Sequence, residues 1–225
     1  MGRQKAGRLG SLRLSGMLDL VQKGGPVVWL IILCSITALG IFLERLLYLH
    51  RASIPVGDLL RGLANVLRNE NYAEALQECA GTPGPVARVA HAVILHHEAP
   101  RSELREVAQE AGQLEVPRLE QNLPLLATIA YATPLIGLLG TLLGLLVAFQ
   151  QIAAHSGYAT ATDIASGVYE SLLTSIASLA VAIPAFVAYS YLSARVNTIV
   201  HEMERAGIEI LAILDEVRIQ KRPKT

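Results

Sequence analysis

A single carboxylate, Glu170, stands at the head of a long apolar stretch. Three hydroxyls fall near its level: Thr141 on the preceding apolar stretch, and Thr174 and Ser175 one turn further on. A carboxyl group withdrawn from water can take up and release a proton near neutrality. Hydroxyls both donate and accept hydrogen bonds, so they can hold a file of water beside it. This residue set points to proton transfer rather than to bond chemistry. An ionisable side chain at membrane depth costs about 2.5–3.5 kcal/mol on insertion scales, which makes Glu170 a functional candidate by default. Its alternative reading is an end-of-helix carboxylate snorkelling to water at the membrane surface.

The elements that must position these residues are apolar helices. Leu123 to Phe149 and Ser171 to Ser193 contain no charged side chain, and neither does Pro26 to Leu43. About 20 apolar residues rising 1.5 Å each cross a bilayer's hydrocarbon. Hydrophobic residues make up 52% of the 225 and charged ones 17%, and the apolar ones are gathered in these three blocks. The fold class expected is therefore an all-α membrane protein, with three transmembrane helices and long cytoplasmic helical extensions. The first block, bracketed by Trp29 and Tyr48, is bulky nearly all round and suits a peripheral position.

At 100° per residue the other two blocks divide into faces. In the second, Ala130, Thr133, Gly137, Gly140, Thr141, Gly144 and Ala148 fall on one side, and Leu135, Leu138, Leu139, Leu142, Leu143, Leu145 and Leu146 on the other. In the third, Glu170, Thr174, Ala177, Ser178, Val181 and Ala182 form a small or polar half, with Ser171 and Ser175 at its shoulder. Small residues let membrane helices approach closely, and hydroxyls bond across them. Thr141 lies about 15 Å below Gln151, and Glu170 about 10 Å below Asp163. Thr141, Ser175 and Glu170 are thus expected to line one polar zone. One helix pair cannot enclose water, so the zone calls for several copies or another chain's helix. A non-conducting scaffold, its small faces merely packing, is the competing reading.

Basic residues set the orientation. The connector from Gln150 to Asp163 has none, whereas eight lie between Glu44 and Asn122 and six follow the third block. Both polar segments are placed in the cytoplasm, the connector in the periplasm, and the N-terminus with it. Arg3, Lys5, Arg8, Arg13 and Lys23 oppose that placement; a start at Met17 would leave only Lys23. The expected order is a tail and amphipathic surface helix (1–25), the first span (26–49), a cytoplasmic helical domain (50–122), the second span (123–153), a periplasmic connector (154–163), the third span (164–194) and a cytoplasmic helical tail (195–225).

In the cytoplasmic domain, amphipathic helices are expected after Asp58, after Asn71, and over Val86 to Glu98. Gly81-Thr-Pro-Gly-Pro85 separates the second and third of these. A fourth, starting near Pro100, is expected to run on into the second span despite Pro117 and Pro124. In the tail, Val196, Ile199, Val200, Met203, Ile208, Leu211 and Leu214 form the expected apolar stripe. Cys34 and Cys79 differ in depth and suggest no disulfide. His91, His96 and His97 lack metal-ligand spacing, and no nucleophile–base pair, cofactor motif or nucleic-acid patch stands out, so no enzyme is expected. His155, in the connector, is a pH-sensing candidate.

These motifs resemble the ExbB/TolQ branch of the MotA/TolQ/ExbB proton-channel family. The resemblance rests on Leu123-Pro-Leu-Leu-Ala-Thr-Ile-Ala130, Thr133-Pro-Leu-Ile-Gly-Leu-Leu-Gly-Thr-Leu-Leu-Gly144, Val168-Tyr-Glu-Ser-Leu-Leu173 and Ala182-Ile-Pro-Ala185. Gly24-Gly-Pro26, Glu44-Arg-Leu46 and Asn71-Tyr-Ala-Glu-Ala-Leu76 also fit. It implies a proton channel subunit of the bacterial inner membrane that acts in a TonB-type system and carries no cofactor. It also implies a homopentamer around a dimer of a single-span ExbD/TolR-type partner, and a TonB/TolA-type transducer driven by the proton motive force. By the same resemblance Glu170 takes the place of the family's third-span glutamate and Thr141 that of its pore threonine. Ser175 falls where relatives carry a second threonine, with Thr174 beside it. A flagellar-stator subunit would have four spans rather than three.

Overall fold

The computed structural model describes residues 25–52, 56–154 and 161–221. Within these, the side chains of Gly25, Pro26, Ala154, residues 161–166, Glu170 and Lys221 lie outside the description, as do the expected N-terminal surface helix and His155. Every described element is a helix: α1 Gly25–Ala52, α2 Val56–Arg68, α3 Tyr72–Gly81, α4 Pro85–Leu95, α5 Arg101–Glu120, α6 Leu123–Ala154 and α7 Ala161–Lys221. Three of them, α1, α6 and α7, contain stretches long and apolar enough to cross a membrane. The chain divides into two compact units.

The first unit comprises residues up to Phe42 and Pro124–Tyr189. In α1 only Val28, Ile31, Ala38 and Ile41 are buried there, while Trp29, Leu33, Ile36 and Leu39 stay exposed. One narrow stripe packs and the rest is left for lipid, as the bulky sequence of this helix requires. Exposed apolar side chains run along α6 from Leu125 to Phe149 and along α7 at least from Tyr169 to Tyr191, each a bilayer's thickness or slightly more at 1.5 Å per residue.

The second unit, Leu43–Leu123 with Ser190–Thr225, holds the polar helices. Leu59, Leu60, Leu63 and Leu67 bury one face of α2. Asn71 caps α3, its Oδ1 accepting from the Glu74 amide at 3.4 Å. Gly84, at φ 132°, permits the tight entry to α4, and Pro85 follows at the first turn where its missing N–H is harmless. α4 is the most enclosed helix, with Val86, Ala87, Val89, Ala90, Val93 and Ile94 buried. It ends at Leu95 rather than at Glu98, because the chain turns at His96. Ion pairs tie the far end of α7 down: Arg68 to Glu216 at 3.2 Å and Arg101 to Asp215 at 3.0 Å. Arg218 donates to the His97 and Ala99 carbonyls.

Two expectations are corrected here. α5 does not continue into α6. Gln121 leaves the helix at ψ 135° and Asn122 takes a left-handed φ of 63°. Pro124 favours the break, since in a continuous helix its ring would strike the Glu120 carbonyl, and asparagine tolerates the left-handed conformation. Pro117, with its ring inside α5, is tolerated. In the tail, Ile208 faces outward at 68% exposure. The buried residues are Val196, Ile199, Met203, Ala206, Ile210, Leu211, Leu214 and Val217, a stripe repeating by threes and fours with Leu211 beside it, and Ile208 falls about 200° round from Ala206.

Candidate functional site

The small faces of α6 and α7 meet. Gly137, Gly140 and Gly144 recur at three and four residues along α6, which puts them in one row. Opposite them Ser171, Thr174, Ser178, Ala182 and Ala185 are buried on α7. A Cβ on Gly137 would collide with the Ser178 hydroxyl and lie 2.5 Å from Ser178 Cβ. One on Gly140 would lie 2.6 Å from the Thr174 methyl and 3.2 Å from a Val27 methyl of α1. One on Gly144 would lie 2.6 Å from Ser171 Cβ. Each of these glycines therefore seats a particular side chain of α7. Near the end of the pair the roles reverse, and Gly167 of α7 admits Ala148 of α6.

Hydroxyls fill the seam. Thr141 Oγ1 donates to the Gly137 carbonyl at 3.1 Å, lies 3.4 Å from the Ser171 carbonyl and is hydrogen-bonded to Ser175 Oγ. Ser175 Oγ lies 3.1 Å from the same Gly137 carbonyl. One helix carbonyl thus gathers a hydroxyl from each helix. Ser178 donates to the Ser175 carbonyl at 2.8 Å and Ser171 to the Val168 carbonyl at 2.8 Å. Thr133 bonds back to Ile129 at 2.6 Å. Polar groups satisfied in this way are tolerated in an apolar helix pair.

The structure thereby brings Thr141 and Ser175 together and gives Thr174 a different place, with its methyl against Gly140. Ser171, expected at the shoulder of its helix, is instead buried at 3% exposure in the middle of the contact; the buried stripe is centred nearer Ser178 than Glu170. Ala177 and Val181 are half-buried, to one side of that stripe. Glu170 lies in α7, and its side chain is outside the described residues. Gly167 went unread in the sequence, since a lone glycine before a serine- and leucine-rich run has no periodic partner.

Outside the spans, Glu115 of α5 is buried and accepts from Arg88 at 2.5 Å and Arg118 at 2.9 Å. The Glu115 hydrogen bond raises the Arg88 pKa further. Burial, followed by the nearby Glu78 charge, pushes the Cys79 thiol up to about 11. His97 stacks on Tyr72 at 3.9 Å, and no cluster of metal-binding side chains occurs among the described residues.

Three apolar helices, two of them joined along a glycine and hydroxyl seam, define a multi-pass membrane protein. The signature of the MotA/TolQ/ExbB proton channel family matches residues 81–205, and the chain belongs to that family. It is 30% identical to the biopolymer transport protein exbB1 of Vibrio cholerae over 183 residues, 80% of each chain. It is 38% identical to the Tol-Pal system protein TolQ of Haemophilus influenzae over 109 residues, 48% of this chain and 47% of that one. The Tol-Pal system protein TolQ of Pseudomonas aeruginosa is 36% identical over 100 residues, 44% and 43% of the two chains.

Proposed function

We propose that the chain is a subunit of an inner-membrane proton channel that uses the proton motive force, with an ExbD/TolR-type partner, to energise transport at the outer membrane in a TonB-type system. The observation that carries this reading is the Thr141–Ser175 hydroxyl pair, held on one carbonyl at the seam of two membrane helices and five residues from Glu170 along α7. With their protons given to the seam, hydroxyls so placed offer acceptor lone pairs to a water file, and a proton crossing 100 mV releases about 2.3 kcal/mol. Glu170 takes and returns the proton, Thr141 and Ser175 line its path with Thr174 beside them, and Gly137, Gly140, Gly144, Ala177, Ser178 and Val181 shape the walls. The chain acts as a conduit and not as an enzyme. Several copies, a pentamer in this reading, enclose a dimer of the single-span partner, and a TonB/TolA-type transducer receives the motion. The N-terminus and the connector lie in the periplasm, and both polar segments in the cytoplasm.

The 38% identity to a TolQ protein over the central segment supports a second assignment within the same mechanism, to Tol-type envelope maintenance. The deciding experiment is proton flux into liposomes holding the chain with its single-span partner. Wild type is expected to acidify the lumen under an imposed potential, and Glu170→Ala to abolish flux while the complex still purifies intact. Full flux with Glu170→Ala refutes the role of Glu170. An assembled wild-type complex without flux leaves the scaffold.

A further inference from the structure

The bend between α5 and α6 is held from outside those two helices. Arg45, in the part of α1 belonging to the second unit, is 2% exposed, and among described residues only it and Glu115 are both charged and buried. Its guanidinium donates to the Arg118 carbonyl at 3.2 Å and to Glu44 Oε1 at 3.3 Å, and lies 5.2 Å from the Tyr48 ring centroid. The Arg118 carbonyl belongs to the last turn of α5, where carbonyls lose their helical donors and the helix dipole favours a cation. Glu44 then reaches the bend itself: Asn122 Nδ2 donates to its second carboxylate oxygen at 3.1 Å. One pair of adjacent residues on α1 therefore grips both sides of the break, the end of α5 through Arg45 and the left-handed residue through Glu44.

We propose that Glu44 and Arg45 form a latch that fixes the bend at Gln121–Asn122. Pro124 disfavours a continuous helix, but it does not set the conformation of Gln121 and Asn122. The latch does so by fastening one particular carbonyl and one particular side chain. Buried arginine is costly without partners, and its Nε has no hydrogen-bond partner among the described residues. Arg45 is thus a positioning residue, held where a leucine would pack at less cost.

The test is hydrogen exchange read by mass spectrometry on the full-length chain in lipid nanodiscs. The variants are Glu44→Ala, Asn122→Gly, both together, and Arg45→Lys. Glu44 is more than half exposed and glycine keeps the left-handed backbone, so both single variants fold. Each single variant is expected to exchange the amides of residues 118–122 at least about tenfold faster, Asn122→Gly by losing its charge-assisted bond to Glu44 and Glu44→Ala by losing that bond and the one from Arg45. The double variant is expected to be no faster than the quicker single, and amides of α2–α4 to keep their wild-type rates. Arg45→Lys, which replaces the planar fork with one ammonium, is expected to accelerate the same amides. The latch is overturned if either single variant exchanges there at the wild-type rate, if the double multiplies the two effects, or if acceleration spreads through α2–α4. Wild-type exchange in Arg45→Lys removes Arg45 from it.

Discussion

Gly137→Ala is the smallest change that tests the α6–α7 seam. The new Cβ would meet Ser178 Cβ at 2.5 Å and backbone Ser175 Cα at 3.4 Å. Carbon atoms rest about 3.5–4.0 Å apart, so the shortfall against Ser178 is about 1–1.5 Å. A serine Cβ cannot swing aside, and the helices must separate. Overpacking of this kind costs about 1–3 kcal/mol, and 2 kcal/mol is about a thirtyfold change in the folded to unfolded ratio. Gly40→Ala in α1 is the control, because nothing lies within 4 Å of its Cβ. There alanine relieves the backbone entropy of glycine and stabilises by about 0.5–1 kcal/mol. The two identical substitutions are therefore expected to shift stability in opposite directions. Adding Ser178→Gly to Gly137→Ala removes both colliding atoms and is expected to recover most of the loss, a coupling that independent sites do not show. The assay is reversible unfolding of the full chain in micelles. Equal stability of Gly137→Ala and Gly40→Ala, or a double variant weaker than either single, refutes the seam.

Thr141→Val keeps the shape and removes the hydroxyl that binds Ser175. Interhelical hydrogen bonds in membranes average about 0.6 kcal/mol, so the melting temperature is expected to move little while liposome proton flux falls at least about tenfold. Glu115→Ala deletes the acceptor shared by Arg88 and Arg118. Both arginines are about half exposed or more and relax into water, so denaturant unfolding is expected to show a loss of about 1.5–3 kcal/mol. Cys79 has a thiol pKa raised from 9.0 to about 11 by burial and the Glu78 charge, so the folded chain holds this proton more tightly than the unfolded one. The stabilisation is complete below the unfolded value and is lost as pH rises from there through about 11. Urea midpoints of wild type are expected to fall between pH 8 and pH 10.5 more steeply than those of Cys79→Ala, and iodoacetamide is expected to label Cys79 at pH 8 only on unfolding.

Periodicity made most of the architecture legible. The three apolar blocks, the Asn71 cap and the inward stripe of α2 follow from residue spacing, because burial in a helix repeats every three or four positions whatever the partner. Direction of packing is another matter. Ser171 and Ile208 were placed by averaging over a face, whereas the contact follows a narrower line fixed by the opposing helix. The two-residue break before α6 depends on competition between Pro124 and helix continuity, which a proline alone does not decide: Pro117, Pro134 and Pro184 all sit inside helices here. Arg45 gave no periodic signal, since the carbonyl it fastens lies 73 positions away.

The seam also bears on how many helices a proton path requires. Positions 170 and 175 are five residues apart, about 140° around an α-helix. Ser175 turns toward α6, where Thr141 and the Gly137 carbonyl occupy its hydroxyl. The helical register sets Glu170 with Ala177 and Val181 instead, and those two are half-buried beside the buried stripe. By register, positions 170 and 175 fall on opposite flanks of the buried stripe. A path that uses both is expected to draw a wall from another helix, so a single copy is expected to fold, to hold its hydroxyl seam and to conduct nothing. Dilution to one chain per nanodisc tests this directly: slow hydrogen exchange of the α6 and α7 amides along the seam, with flux absent in liposomes loaded at the same dilution, is the expected pair of results, and flux from single copies refutes it.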